Sequence, residues 1–212
     1  MKKFLSTLFL LTGVVISSVA SAAVINGQIR TIDGDSDGQV DDLKISRVVF
    51  TVTGGTHVFF DSLVRESTGV DLNGDGFITG FDNYMMLLNG TTLLADDDDS
   101  SISGADGSVH SYDSTIDWTF NEAGTYMITI GQLSYSENSA LQGYSTDRTY
   151  AAYDGNENFG AWRLTMTATG GTLSNVSEVG VNNVPEPGSL ALLGLGLAGV
   201  GVARRRSLRR AA

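Results

Sequence analysis

Twelve consecutive residues, Asp71-Leu72-Asn73-Gly74-Asp75-Gly76-Phe77-Ile78-Thr79-Gly80-Phe81-Asp82, carry oxygen-bearing side chains at positions 1, 3 and 5, glycine at 6, an apolar residue at 8 and an acid at 12. Calcium takes roughly six to eight hard oxygen donors, and this spacing lets one tight turn converge them on a point. Asp71, Asn73, Asp75 and Asp82 would offer side-chain oxygens, Phe77 its carbonyl, and Thr79 a contact through water. A second run, Asp33-Gly34-Asp35-Ser36-Asp37-Gly38-Gln39-Val40-Asp41-Asp42, begins the same way, with acids at positions 1, 3, 5 and 9. Its position 12 is Lys44, which cannot ligate, so Asp41 or Asp42 has to substitute. A third acidic stretch, Asp96 to Asp99, falls at a strand end, where Asp96 or Asp97 could join Asp82 around a cation. The competing reading of each stretch is a solvated acidic turn.

Catalysis has much less to build on. Of the two histidines, His57 sits in a strand pattern and His110 in a Ser-rich loop beside Ser108 and Ser111. No nucleophile elbow accompanies them, and zinc would want more His or Cys than the chain holds. The carboxylates gather in turns instead of flanking an aromatic cleft as a glycosidase pair would. The expectation is a protein that is not an enzyme. Trp118 and Trp162 both lie on the apolar phase of their strands, which favours core packing over a sugar platform. Tyr144, Tyr150 and Tyr153 lie in a long polar loop, 135–158, and are the candidates for a ligand loop.

The elements that must hold these groups read as strands. Val48, Phe50 and Val52 alternate with Arg47, Thr51 and Thr53; Ile116, Trp118 and Phe120 alternate with Asp117, Thr119 and Asn121. Tyr126, Ile128 and Ile130 repeat the period, as do Trp162, Leu164 and Met166. Each is a strand with one buried and one wet face. Shorter candidates are 57–62, 83–88 and 92–95, with Asn89-Gly90 as a hairpin turn. No part of the body shows a helical stripe. The fold class expected is all-β, an antiparallel two-sheet sandwich of jelly-roll type.

Composition agrees. The 26 glycines suit a turn-rich β domain, and no cysteine is present, so stability must come from packing, with bound cations as a supplement. The formal charge is −11 over the chain. Seven of the 13 basic residues lie at the two ends, leaving residues 23–183 with 23 acids against 6 bases, a net −17. Such a surface repels nucleic acid and anionic lipid and favours cations.

Both ends look like export signals. Met1-Lys2-Lys3, an apolar run to Ile16 and the small residues Ala20-Ser21-Ala22 are the parts of a secretory signal peptide, with cleavage expected after Ala22. At the other end Val184-Pro185-Glu186-Pro187 leads into an uncharged run, 188–203, followed by Arg204, Arg205, Arg206, Arg209 and Arg210. The run is a little short of the ~20 residues a spanning helix needs, but flanking arginines can snorkel, and their charge predicts a cytoplasmic C-terminus. The expected domains are therefore a signal peptide (1–22), an acidic β-sandwich (23–183) and a tail with a short transmembrane helix (184–212).

The tail, VPEPGSLALLGLGLAGVGVARRRSLRR, resembles the sorting signal of PEP-CTERM proteins, which the membrane enzyme exosortase processes. The resemblance implies a Gram-negative source, cleavage near Pro185-Glu186-Pro187, and delivery to the cell surface or an exopolysaccharide matrix such as a biofilm. Residues 81–171, with FDNYMMLLNGTTLLADDDDS, STIDWTFNEAGTYMITIGQL and AWRLTMTATGG, resemble pre-peptidase C-terminal-type domains, which implies a small calcium-associated sandwich. Asp82 at position 12 also resembles the loops of dockerin modules. The functional expectation is a non-catalytic exported protein with Ca2+ as its cofactor and signal peptidase and exosortase as its processing partners. The alternatives are a module gripping extracellular polysaccharide and a secreted hydrolase.

Overall fold

The computed structural model describes residues 20–66, 70–98, 112–152 and 158–180. In chain order these form β1 (Ser21–Ile32), β2 (Asp42–Lys44), β3 (Ser46–Val52), β4 (Thr56–Leu63), β5 (Asn83–Asn89), β6 (Thr92–Asp98), β7 (Thr115–Phe120), β8 (Gly124–Gln132), α1 (Glu137–Gln142), β9 (Tyr144–Ser145), β10 (Phe159–Thr169) and β11 (Leu173–Val179). The strands assemble into two sheets, ordered β7-β4-β10-β1-β2-β9 and β11-β3-β8-β5-β6, and every pairing is antiparallel.

Alternation explains why the two sheets stack. Val48, Phe50 and Val52 of β3 and Ile128 and Ile130 of β8 meet Ile29, Phe60, Phe120, Trp162, Leu164 and Met166 of the other sheet in one buried cluster. Phe50 stands between Phe60 and Phe120, with ring centroids 5.4 and 5.8 Å away in tilted and edge-on arrangements, the geometry that the ring quadrupoles favour. Trp162 is wholly buried, and its indole N–H donates to Ser46 Oγ at 3.0 Å. Gly27, opposite Trp162 in the β1–β10 register, leaves the space that the indole fills. A Cβ there would overlap the Trp162 ring, which has no room to move. Gly27→Ala is thus expected to cost about 1–3 kcal/mol by overpacking, measured as a lower urea midpoint with an unchanged slope.

Several elements differ from the sequence expectation. α1, only six residues long, lies inside the supposed loop 135–158. It is too short for a hydrophobic stripe and is set by its ends: Ser136 Oγ accepts from the Ser139 N–H at 3.1 Å, and Gly143 closes it at φ 90°. β6 does not stop at Ala95 but runs through Asp98. An edge strand tolerates this because Asp96 and Asp98 point to solvent, where charge also deters pairing with a second edge. β1 begins at Ser21, with Ser21 opposite Ala168 and Ala22 opposite Thr167. Cleavage after Ala22 would leave the remaining register, Ala23–Met166 to Arg30–Phe159, intact. Among the described residues no helix is long and apolar enough to cross a membrane. The expected signal helix, short of its last residues, and the C-terminal helix both lie outside the described residues.

The registers give the sandwich two distinct ends. One carries the start of β1 and the β3–β4, β5–β6, β7–β8 and β10–β11 turns. The other carries both acidic runs, the segment before β7, α1 and the exit of the chain after β11. At that exit the Arg47 guanidinium donates to the carbonyls of Leu141 at 2.6 Å and Gly180 at 2.7 Å, tying α1 to the last described residue.

Candidate cation-binding loops

The two acidic runs fold into the same local structure. In the first, which joins β1 to β2, Asp33 Oδ2 accepts from the Gly38 N–H at 3.2 Å, Asp35 Oδ1 from Asp37 at 3.1 Å, and Asp37 Oδ1 from Gln39 at 2.8 Å. In the second, before β5, Asp71 Oδ2 accepts from Gly76 at 2.8 Å, Asn73 Oδ1 from Asp75 at 3.2 Å, and Asp75 Oδ1 from Phe77 at 2.8 Å. Position 1 thus caps position 6, position 3 caps position 5, and position 5 caps position 7 in both. The backbone agrees as well: positions 4 and 6 are left-handed in each, Ser36 (φ 66°) with Gly38 (φ 93°), and Gly74 (φ 75°) with Gly76 (φ 85°). Glycine at position 6 meets that demand without steric cost.

In the first loop this path brings the side-chain oxygens together. One oxygen from each of Asp33, Asp35 and Asp37 lies within 4.8 Å of the others, and Asp33 Oδ1 is buried with no hydrogen-bond partner among the described residues. Partial desolvation, and behind it the carboxylates of Asp37, Asp42, Asp147 and Asp35, raises the Asp41 pKa above its ordinary value. The N–H groups of Gly76 and Gly74 hold Asp71 below its ordinary value, as the Gln39 backbone and side-chain donors do for Asp37. Lys44 points away from the first loop, bonding Gln28 O at 3.0 Å and Glu178 Oε1 at 2.7 Å.

Each loop is braced by a buried carboxylate outside the 1-3-5 pattern. Asp42 accepts from Gly34 N at 2.8 Å and Asp35 N at 2.9 Å with Oδ2, and from Asp147 N at 3.1 Å with Oδ1. Glu66 accepts from Leu72 N at 2.7 Å with Oε1, and from Thr79 N and Thr79 Oγ1, both at 2.8 Å, with Oε2. Glu66 is the feature the sequence reading missed, because it precedes the motif and touches it only after the chain has folded back. The one local signal was an acid three residues past the end of β4, after Leu63, Val64 and Arg65.

The remaining expected residues are distributed unevenly. Thr79 is fully buried; its hydroxyl donates to Glu66 and accepts from Ala161 N at 3.0 Å, so its side chain does not face the turn as the water-mediated role required. Phe77 leaves its ring 53% exposed at the loop tip. Asp82 is half-buried just before β5. Asp96 and Asp97 separate to opposite faces of β6: Asp96 accepts from the Tyr84 hydroxyl at 2.7 Å on the outer face, and Asp97 accepts from Thr115 N at 2.7 Å toward β7. Tyr144 and Tyr150 do not stand free for a ligand. The Tyr144 ring packs on Gly34 of the first loop; the Tyr150 hydroxyl donates to Gly80 O of the second at 3.2 Å, and burial pushes its phenol pKa up. Tyr153, His110, Ser108, Ser111 and Asp99 lie outside the described residues. His57 pairs with Asp117 on the exposed outer face of β4 and β7.

Residues 183–207 match the PEP-CTERM protein-sorting motif. That motif marks an exported protein processed by exosortase, and it contains Val184, Pro185, Glu186, Pro187, Arg204, Arg205 and Arg206, all outside the described residues. No curated protein matches the chain.

Proposed function

We propose that this exosortase-sorted chain is a non-catalytic surface or matrix protein whose sandwich is stabilised by calcium at its two acidic loops. The observation that carries the reading is the repetition of one turn geometry in two unrelated places of the fold, each capped by three oxygen-bearing side chains with no basic residue among them. Calcium would neutralise the carboxylates and lock the turns. Because both loops lie at the end from which the sorting tail leaves, ion binding would stiffen the part of the domain nearest the tether. Folding would then be completed outside the cell, where calcium is plentiful.

Calorimetric titration of calcium into the chelated, exported chain tests this. Saturable binding is expected, and Asp71→Ala should remove one class of site while Asp33→Ala removes the other. A flat titration reduces both loops to solvated turns and leaves export and sorting as the function.

A further inference from the structure

A second feature lies at the opposite end of the sandwich. There a recess of about 210 Å³ opens between β6 and β7, with Leu94, Trp118 and Tyr126 as walls and Asn89, Asn121 and Glu122 at its rim. β6 and β7 are the outermost strands of their sheets on the same side, linked by the Thr115 N–H to Asp97 bond. Trp118 shares the inward phase of Ile116 and Phe120, yet it remains partly exposed while they are buried, because among the described residues no strand lies beyond that edge. The recess lining is firm: the Phe120 and Tyr126 rings are 4.5 Å apart, and the Tyr126 hydroxyl donates to Glu122 O at 3.0 Å, fixing the turn that carries the rim.

We propose that this recess binds one ring of a neutral glycan. Its volume is below the ~300–1,000 Å³ of sites for drug-sized ligands, which leaves room for a single ring. A pyranose has a flat C–H face that packs on an indole and an edge of hydroxyls that meets amide and carboxylate side chains, and the recess offers one indole ringed by two amides and one carboxylate. The body's net −17 and Glu122 itself repel uronates, sulfates and phosphates. The recess also faces away from the tail exit, so a tethered molecule presents it outward. The proposal is independent of calcium at the other end.

The chain has two tryptophans, and Trp162 is wholly buried, so acrylamide quenching of the full-length exported chain reports on Trp118. Titration with a neutral β-glucan, a mannan and a galactan, against alginate as the anionic control, should give saturable protection from quencher by at least one neutral glycan and none by alginate. Trp118→Ala, which lacks the reporter and is followed by isothermal titration calorimetry instead, should weaken binding about tenfold or more. Since Trp118 also packs on the core, Asn121→Ala and Glu122→Gln, both on the exposed turn, should each weaken it several-fold with an unchanged melting temperature. No protection by any neutral glycan, stronger binding of alginate, or affinity unaltered in all three variants overturns the proposal.

Discussion

Calcium in hundredfold excess over its dissociation constant is expected to raise the melting temperature of the exported chain by roughly 10–20 °C, and chelation should reverse the gain. A ligand that binds only the native state contributes about 2.7 kcal/mol per site at that excess. A domain of about 150–250 residues moves roughly 2–4 °C per kcal/mol, and two loops of matching geometry make the contributions of similar size. The loops lie on different connections, one between β1 and β2 and the other before β5, and each is braced by its own carboxylate, Asp42 and Glu66. Their effects should therefore add: Asp33→Ala and Asp71→Ala would each remove about half the shift, and the double variant nearly all of it. Differential scanning calorimetry with calcium, with magnesium and with chelator checks this. Magnesium demands near-ideal octahedral geometry and dehydrates reluctantly, so it should substitute poorly. A shift that survives the double variant would place the stabilising ion elsewhere.

Glu66→Ala is expected to destabilise the chain by about 3–5 kcal/mol even without calcium. The residue is 1% exposed, and three donors from the second loop converge on its two oxygens. Truncation leaves Leu72 N, Thr79 N and Thr79 Oγ1 without this acceptor, and each buried donor left unsatisfied costs about 1–3 kcal/mol. Glu66→Gln keeps the shape and one acceptor but aims an amide N–H₂ at donors, so it should recover only part of the loss. Urea unfolding followed by Trp fluorescence measures both variants. A loss under 1 kcal/mol for Glu66→Ala would mean that water satisfies the loop. Because Glu66 braces the second loop alone, the calcium response of the Asp33 loop should persist in a folded Glu66→Gln chain.

How far the sequence reached depended on whether a feature was contiguous. The strands β3, β7, β8 and β10 were legible because alternation along a few residues is enough to define a buried face. Both acidic loops were legible for the same reason, since positions 1, 3, 5 and 6 lie within one turn, and the sorting motif is a linear string. β1 was not read as a strand, and its first two residues overlap the signal-peptide pattern that ends at Ala22. β11 was hidden by its sparse apolar content: it is an edge strand with a register shift between Ser174 and Ser177 and few buried side chains. The order of strands within the sheets, which the jelly-roll expectation concerned, is not encoded in periodicity at all.

Trp118 and Trp162 show what only the tertiary structure decided. Both occupy the apolar phase of an alternating strand, and the sequence treats them alike. β10 lies inside its sheet, between β4 and β1, and buries Trp162 completely; β7 is the last strand of the same sheet and leaves Trp118 half-covered. The same holds for Asp42, Tyr144 and Tyr150, which read as a substitute ligand and two loop aromatics but brace the acidic turns, and for Glu66, which was not read at all. By itself the sequence determined that the chain is exported and sorted, that it alternates into strands, and where its oxygen-rich turns begin. Depth, sheet order and the partners of each carboxylate arose from contacts between segments distant along the chain, because residue spacing specifies the direction of a side chain and only packing specifies what it meets.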